Sequence, residues 1–213
     1  MKRPELNELT LSKIERLGTP DSLRKFHVFV DLISRWRNIT NLMSEEGFQN
    51  VWERHILDSV YLQHLFPSYR NWLDLGTGAG FPGIVLGILL ADDKYTQIHC
   101  VESDSRKCAF LRSVVQELHL PVKVHNIRAN ELSNIGIVNV EVVTARAFSS
   151  IESILQLSED YMLSGAVLIL PLGRTSMQAV EAVDLNRYKL TVDANPLAQG
   201  GMFVHIRLQV RRV

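Results

Sequence analysis

The sequence predicts an α/β fold, a largely parallel sheet covered by helices on both faces and preceded by a helical cap. From Trp72 onward, short apolar strand-like runs alternate with helical runs, the pattern of strands joined by crossover helices. The first of those strands breaks into Asp74-Leu75-Gly76-Thr77-Gly78-Ala79-Gly80-Phe81-Pro82-Gly83 and re-enters as an apolar helix. A strand, a Gly-rich turn and a helix N-terminus describe the first crevice of an open α/β sheet. Residues 1–70, by contrast, carry helical periodicity throughout. The expected division is a helical cap at 1–70 and a sheet domain at 71–213.

In the cap, Leu6, Leu9, Ile14 and Leu17 keep one helical face, closed by Gly18. Thr19-Pro20-Asp21 reads as an N-cap, a first-turn proline and an early acid. The helix it starts turns Leu23, Phe26, Val30 and Ile33, with Phe29 and Trp36, toward a core. Residues 37–42 are a polar break. Ser44-Glu45-Glu46-Gly47 then begins a helix that runs through Trp52 toward Phe66 and ends at Pro67. Strands are expected at 72–75, 97–102, 122–125, 140–145, 166–170, 188–192 and 203–210. Helices are expected at 83–91, where Pro82 opens the first turn, and at 105–119, 151–163 and about 176–185. Residues 194–201 read as a loop, so the last two strands form an antiparallel hairpin.

Composition narrows the function. At 46% apolar and 22% charged residues the chain can bury a substantial core. Its 23 basic residues balance 23 acidic ones, so a site for nucleic acid has to be a local patch rather than a property of the whole surface. The first eight residues are too polar for a signal peptide. The apolar run 81–91 is too short and too Gly-rich to cross a bilayer. Cys100 and Cys108 lack redox-motif or zinc spacing and read as reduced thiols in or near the core. A cytoplasmic protein without a membrane partner or metal is expected. The sequence sets no oligomeric state, and a monomer is the default.

Gly78-x-Gly80-x-x-Gly83 formally matches the dinucleotide fingerprint, but its register differs. The tight turn already begins at Gly76, with Asp74 just before it. A carboxylate there repels a pyrophosphate and suits a cationic ligand such as S-adenosylmethionine. A dinucleotide oxidoreductase is the competing reading. Glu102, at the end of the second strand, is placed to accept from ribose hydroxyls. After the third strand, the Ala129 backbone and the Asn130 amide could read an adenine edge. Arg106, Lys107, Arg128, Arg146 and Arg174 all leave the carboxyl ends of strands, and a cationic rim of that kind is what a phosphodiester-backed substrate requires. Glu102, Asp104 and Glu131 dilute it. His55, Asp58 and Ser59 lie at i, i+3 and i+4 on one helical face; composition alone makes them a solvated stripe.

Asp-x-Gly-x-Gly-x-Gly before a helix resembles motif I of class I methyltransferases. Seven strands with an antiparallel last one are similar to that Rossmann-like architecture. Taken with Asn41-Leu42, His55-x-x-Asp58-Ser59, the Phe81-Pro82-Gly83 extension and Thr144-Ala145-Arg146-Ala147-Phe148, the chain resembles the 16S ribosomal RNA guanine-N7 methyltransferase family, also called the glucose-inhibited division protein B family. The resemblance covers nearly the whole chain. It implies S-adenosylmethionine as donor and N7 of a guanine in the 530 loop of small-subunit RNA as acceptor, in free RNA, the small ribosomal subunit or its precursor. It also implies cofactor contacts at Gly76, Phe81, Ala129, Asn130 and Arg146, beside those that position suggests for Asp74, Gly78 and Glu102. Another RNA or a small molecule is the alternative acceptor, and a non-catalytic RNA-binding module the alternative class. Many family members carry Lys-Gly after strand five; here the chain reads Pro171-Leu172-Gly173-Arg174, with Arg174 as the replacement.

Guanine N7 has a free lone pair, so no general base is demanded, and no catalytic-Cys or Asn-Pro-Pro-Tyr motif is visible. Catalysis then rests on alignment and on extrusion of the target base. Arg146, His55 and Asp58 are the candidates for it. Arg146 would grip a carboxylate or a phosphate with its planar fork, and Asp58 would favour the cationic product.

Overall fold

A computed structural model describes residues 3–146, 150–173, 180, 183–196 and 201–209. Its centre is a seven-stranded sheet. The strands are β1 (Asn71–Leu75), β2 (Gln97–Glu102), β3 (Val122–Asn126), β4 (Val142–Ala145), β5 (Val167–Gly173), β6 (Tyr188–Ala194) and β7 (Gly201–Leu208). They lie in the order β3-β2-β1-β4-β5-β7-β6. Strands β1 to β5 pair in parallel, while β7 runs antiparallel to both β5 and β6. The final pair is therefore the expected hairpin, and β7 begins two residues before the expected start.

The central strands β1, β2, β4 and β5 are largely buried on both faces, as a parallel core requires, and their alternate residues feed two different hydrophobic cores. Leu73, Leu75, Val101, Val143 and Leu168 pack with Ile154, Leu155 and Met162 of one helix (Ile151–Leu163). The opposite face, through Trp72, Ile98, Val142 and Ile169, packs on the helices that follow β1 and β2 and on the cap. Those two helices are Gly83–Leu89 and Ser105–Leu118. Pro82 stands just outside the first of them as its flanking residue. Cys100 and Cys108 are buried free thiols, and burial pushes both pKa values up. Most of the expected helix at 176–185 lies outside the described residues.

The cap is locally well specified. Its first helix, α1 (Glu8–Leu17), starts at Asn7, whose side chain accepts from Thr10 N–H. The second, α2 (Pro20–Trp36), starts with a capping box. Ser22 N–H donates to Thr19 Oγ1 (3.1 Å) and Thr19 N–H to Ser22 Oγ (2.8 Å). Phe26, Phe29, Val30 and Ile33 are buried as the periodicity predicts. Leu9 is not: it is 68% exposed, because α1 docks through Thr10 and Ile14 and Leu9 lies one position round the helix from that face.

The single helix expected from Ser44 to Phe66 is three pieces. A short helix, α3 (Glu45–Gln49), leads through Asn50 into a π-helical turn, Val51–Ile56, and then into α4 (Leu57–Leu65). The wider turn lets Val51, Trp52, Ile56, Leu57 and Val60 all bury, while His55 and Asp58 stay directed at the edge of the sheet. Such turns concentrate at functional sites. No described helix is long and apolar enough to cross a membrane.

Candidate functional site

The turn after β1 is held from beneath. Asp74 is wholly buried. Its Oδ2 accepts from the Thr77 hydroxyl and from the Gly83 N–H (3.0 Å), and Thr77 N–H donates to the Val101 carbonyl of β2 (3.1 Å). Gly76, Gly78 and Gly80 have φ of 65°, 59° and 100°, a region that residues with side chains avoid. At Gly83 the demand is space instead. A Cβ there would sit 2.4 Å from Cys100 Sγ and 2.8 Å from Asp74 Oδ2. Asp74 Oδ1, the other carboxylate oxygen, is buried with no hydrogen-bond partner among the described residues. Burial raises the Asp74 pKa to about 7, against the opposing Thr77 and Gly83 hydrogen bonds.

Two openings flank this turn along the carboxyl edge of the sheet. On the β2–β3 side, a crevice of about 250 Å³ is lined by Gly76, Glu102, Ser103, Arg128 and Ala129, among others. Glu102 braces it. Its Oε2 accepts from Gly78 N–H (3.0 Å) and its Oε1 from Asp104 N–H (2.9 Å), and each oxygen keeps a further lone pair. Asn130, one residue beyond Ala129, is exposed and lines a neighbouring cleft between the 3₁₀ helix Ala129–Ile135 and the helix Ile151–Leu163.

On the β4–β5 side, a cavity of about 150 Å³ is lined by Arg54, His55, Asp58, Arg146, Leu172 and Asn195, among others. Arg146 reaches up into the cap. Its Nη2 lies 2.7 Å from His55 Nδ1 and 3.5 Å from the Arg54 carbonyl oxygen. A guanidinium has only donors, so His55 Nδ1 is the acceptor and its proton sits on Nε2. Burial, then the Arg146 and Arg54 charges, lower the His55 pKa to about 3, which leaves the ring neutral at physiological pH. Asp58 Oδ1 accepts from Asn195 Nδ2 (2.7 Å). Burial raises its pKa to about 6, with Arg146, Arg54 and the Asn195 hydrogen bond opposing. Ser59, on the same stripe, turns inward and donates to the His55 carbonyl (2.7 Å).

The two openings meet at one place. Leu75 pairs with Ala145, so Gly76 and Arg146 leave adjacent strands side by side. Strand β2 lies on one side of β1 and β4 on the other, which makes this the topological switch point of the sheet, where α/β folds bind ligands.

The sequence-predicted residues separate accordingly. Gly76, Glu102 and Ala129 line the crevice, Gly78 is bonded to Glu102, and Asp74 lies beneath the turn rather than in the open. Phe81 contributes a buried ring that stacks on His55 (centroids 4.9 Å) and packs on Phe29 (5.3 Å), so it joins the turn to the cap. Arg146 is no part of an exposed rim. It is half-buried on the far side of the switch point with His55 and Asp58, and desolvation lowers its pKa. Arg106 and Arg128 are exposed as a rim requires. Ala147, Phe148 and Arg174 lie outside the described residues. Arg54 and Asn195 were missed by sequence reasoning. Asn195-Pro196 carried only a turn signal, and no spacing connects either residue to Arg146.

The strand order, the antiparallel β7 and the Gly turn at the switch point define the class I methyltransferase fold. Solved structures agree. A putative O-methyltransferase from Klebsiella pneumoniae is similar with a TM-score of 0.64 at 15% identity, over 95% of this chain and 96% of the other. The S-adenosylhomocysteine-bound Podospora anserina methyltransferase PaMTH1 is similar with a TM-score of 0.61 at 13% identity, over 99% and 100%. Residues 22–194 match the family described as GidB, rRNA small subunit methyltransferase G, and the chain belongs to that family. Among its relatives named "Ribosomal RNA small subunit methyltransferase G", the Paramagnetospirillum magneticum protein is 35% identical over 93% of both chains. The Caulobacter vibrioides protein is 41% identical over 65% of this chain, a match that spans 62% of that relative.

Proposed function

We propose that the protein transfers a methyl group from S-adenosylmethionine to N7 of a guanine in the 530 loop of small-subunit ribosomal RNA. The observation that carries this reading is the pair of openings that meet between Gly76 and Arg146. One has the features of a donor site and the other those of an acceptor site. The donor crevice fits a cationic nucleoside. Gly76 leaves the backbone open to it, Glu102 retains acceptor capacity for ribose hydroxyls, and Asp74 adds a buried carboxylate beneath the turn, its Oδ1 without a hydrogen-bond partner among the described residues.

The bound donor would supply an electrophilic methyl group. The chain's own task is then alignment and exclusion of water. A neutral His55, fixed through Nδ1, orients the Arg146 guanidinium, and the cap closes the acceptor cavity from above. A guanine N7 lone pair needs no base, which accords with a His55 that has given its one acceptor nitrogen to Arg146. The names of the relatives support the ribosomal RNA substrate; the guanine N7 and the 530 loop rest on the family resemblance.

The test has two stages. Calorimetric titration should show binding of S-adenosylhomocysteine and none of NAD. Methyl transfer to small-subunit RNA from a strain lacking this modification, mapped by N7-methylguanosine-specific cleavage, should give one site in the 530 loop. Donor binding with a methyl group found elsewhere, or none transferred to RNA, would refute the assignment.

A further inference from the structure

The acceptor cavity holds a carboxylate in an unusual state. Asp58 is the only acid that lines it among the described residues, and it faces two arginines, Arg54 and Arg146. Neither forms an ion pair with it within the described residues. Arg146 Nη2 is spent on His55 Nδ1 and the Arg54 carbonyl instead. Asp58 is half-buried, and a carboxylate drawn out of water is normally paired, because an unpaired one forfeits part of its hydration. Here a neutral group does the orienting: Asn195 Nδ2, from the end of the β6–β7 hairpin, holds Oδ1 at 2.7 Å. Oδ2 has no hydrogen-bond partner among the described residues, and Oδ1 keeps a second lone pair. The cavity thus presents a fixed, half-buried, acceptor-only edge beside cationic donors.

An extruded base is read through hydrogen bonds to its Watson–Crick edge. Guanine alone offers two adjacent donors there, N1–H and the 2-amino group, next to the O6 acceptor. Adenine turns the N1 lone pair toward a carboxylate. Uracil and cytosine each offer a single donor beside an acceptor. Resting on the function proposed above, we propose that Asp58, oriented by Asn195, selects the acceptor base by accepting from N1–H and the 2-amino group of the extruded guanine. The edge so held lies opposite N7, which is left free to face the donor.

The experiment compares small-subunit RNA with guanine at the acceptor position against the same RNA with inosine there. Inosine keeps N7, O6 and N1–H but lacks the 2-amino group. Wild-type protein should prefer guanine in kcat/KM by about ten- to hundred-fold, the value of a hydrogen bond to a charged group. Asp58→Asn should lose activity on guanine and bring the guanine-to-inosine ratio near one, since its amide can turn a donor toward the 2-amino group. Asn195→Ala should lower the ratio partway, whereas Arg146→Ala should lower both rates and keep the ratio. A merely structural Asp58 would leave the ratio unchanged in Asp58→Asn, and that result overturns the proposal. A wild-type ratio near one overturns it as well. If wild-type protein binds donor but methylates neither RNA, it is the underlying functional reading that fails, and the base-selection proposal falls with it.

Discussion

The crevice beside Gly76 and the cavity beside Arg146 lie on opposite sides of one strand pair, yet they are assembled by different means. The crevice draws on Gly76, on Glu102 at the end of β2 and on Ala129 just after β3. Each occupies a place dictated by its strand, so the sheet alone positions them. The cavity draws on Arg54, His55 and Asp58 of the cap, Arg146 after β4, Leu172 of β5 and Asn195 after β6. It exists only when the cap, the sheet and the terminal hairpin are docked. On the proposed reading, residues that hold the donor can be local, and those that select the acceptor come from what is added around the common sheet.

Phe81 is where the two regions can be pulled apart, and it carries the largest expected effect. It belongs to the Gly turn by sequence and to the cap by packing, with 5% of its surface exposed between Phe29 and His55. Phe81→Ala should cost about 3–5 kcal/mol by denaturant titration. Methyl transfer should fall more than donor affinity, because the ring supports His55 rather than the crevice. A variant of unchanged stability that has lost donor binding would break the comparison and return Phe81 to the donor side.

Gly76→Val and Arg146→Lys form the next pair. Gly76 combines a φ of 65° with an open face on the crevice, so a branched side chain is strained there and fills the ligand's space. Donor affinity should drop by about a hundred-fold or more, close to 2.7 kcal/mol. Arg146→Lys keeps a charge but loses the planar fork. Methyl transfer should fall about ten-fold or more while S-adenosylhomocysteine affinity stays within about three-fold. If Arg146→Lys weakens the donor instead, the two openings share one arginine and the division drawn here is wrong.

What could be read from the sequence follows the same division. The Gly turn, the ends of β1 and β2 and the hairpin were legible because each depends on a contiguous pattern. The Thr19-Pro20-Asp21 helix start was legible for the same reason. The π-helical turn at Val51–Ile56 was not, since one wide turn barely disturbs a helical apolar pattern. It matters because it directs His55 and Asp58 together at the sheet. Arg54 and Asn195 carry no local signature; Asn195 meets Asp58 across 137 positions, a contact only the docked hairpin creates. Arg146 was legible as a charge at the carboxyl end of β4 and misread as part of an exposed rim, because strand ends reveal position along the edge and not depth beneath a cap.

The smallest expected effect concerns Asp58 and depends on pH. Burial raises its pKa in the folded protein to about 6 from the ordinary 3.8. The folded state then binds a proton more tightly than the unfolded chain, so stability falls as pH rises from about 4 to about 6 and stays reduced above that. Asp74, raised to about 7, extends the fall in the same direction. The groups facing Asp58 are His55, which stays neutral with a pKa of about 3, the guanidinium groups of Arg54 and Arg146, and the neutral amide of Asn195. Asp58→Asn keeps an oxygen for the Asn195 hydrogen bond and removes the buried charge. The ligand-free variant should match wild type near pH 4 and exceed it above pH 7 by on the order of 1–3 kcal/mol, read from thermal melts across that range. Gain of stability with loss of base selection would mark Asp58 as a charge kept unpaired for a ligand. A variant weaker than wild type by the same amount at every pH would instead make the Asp58–Asn195 contact a tie between cap and hairpin, and the acceptor cavity would lose its reading group.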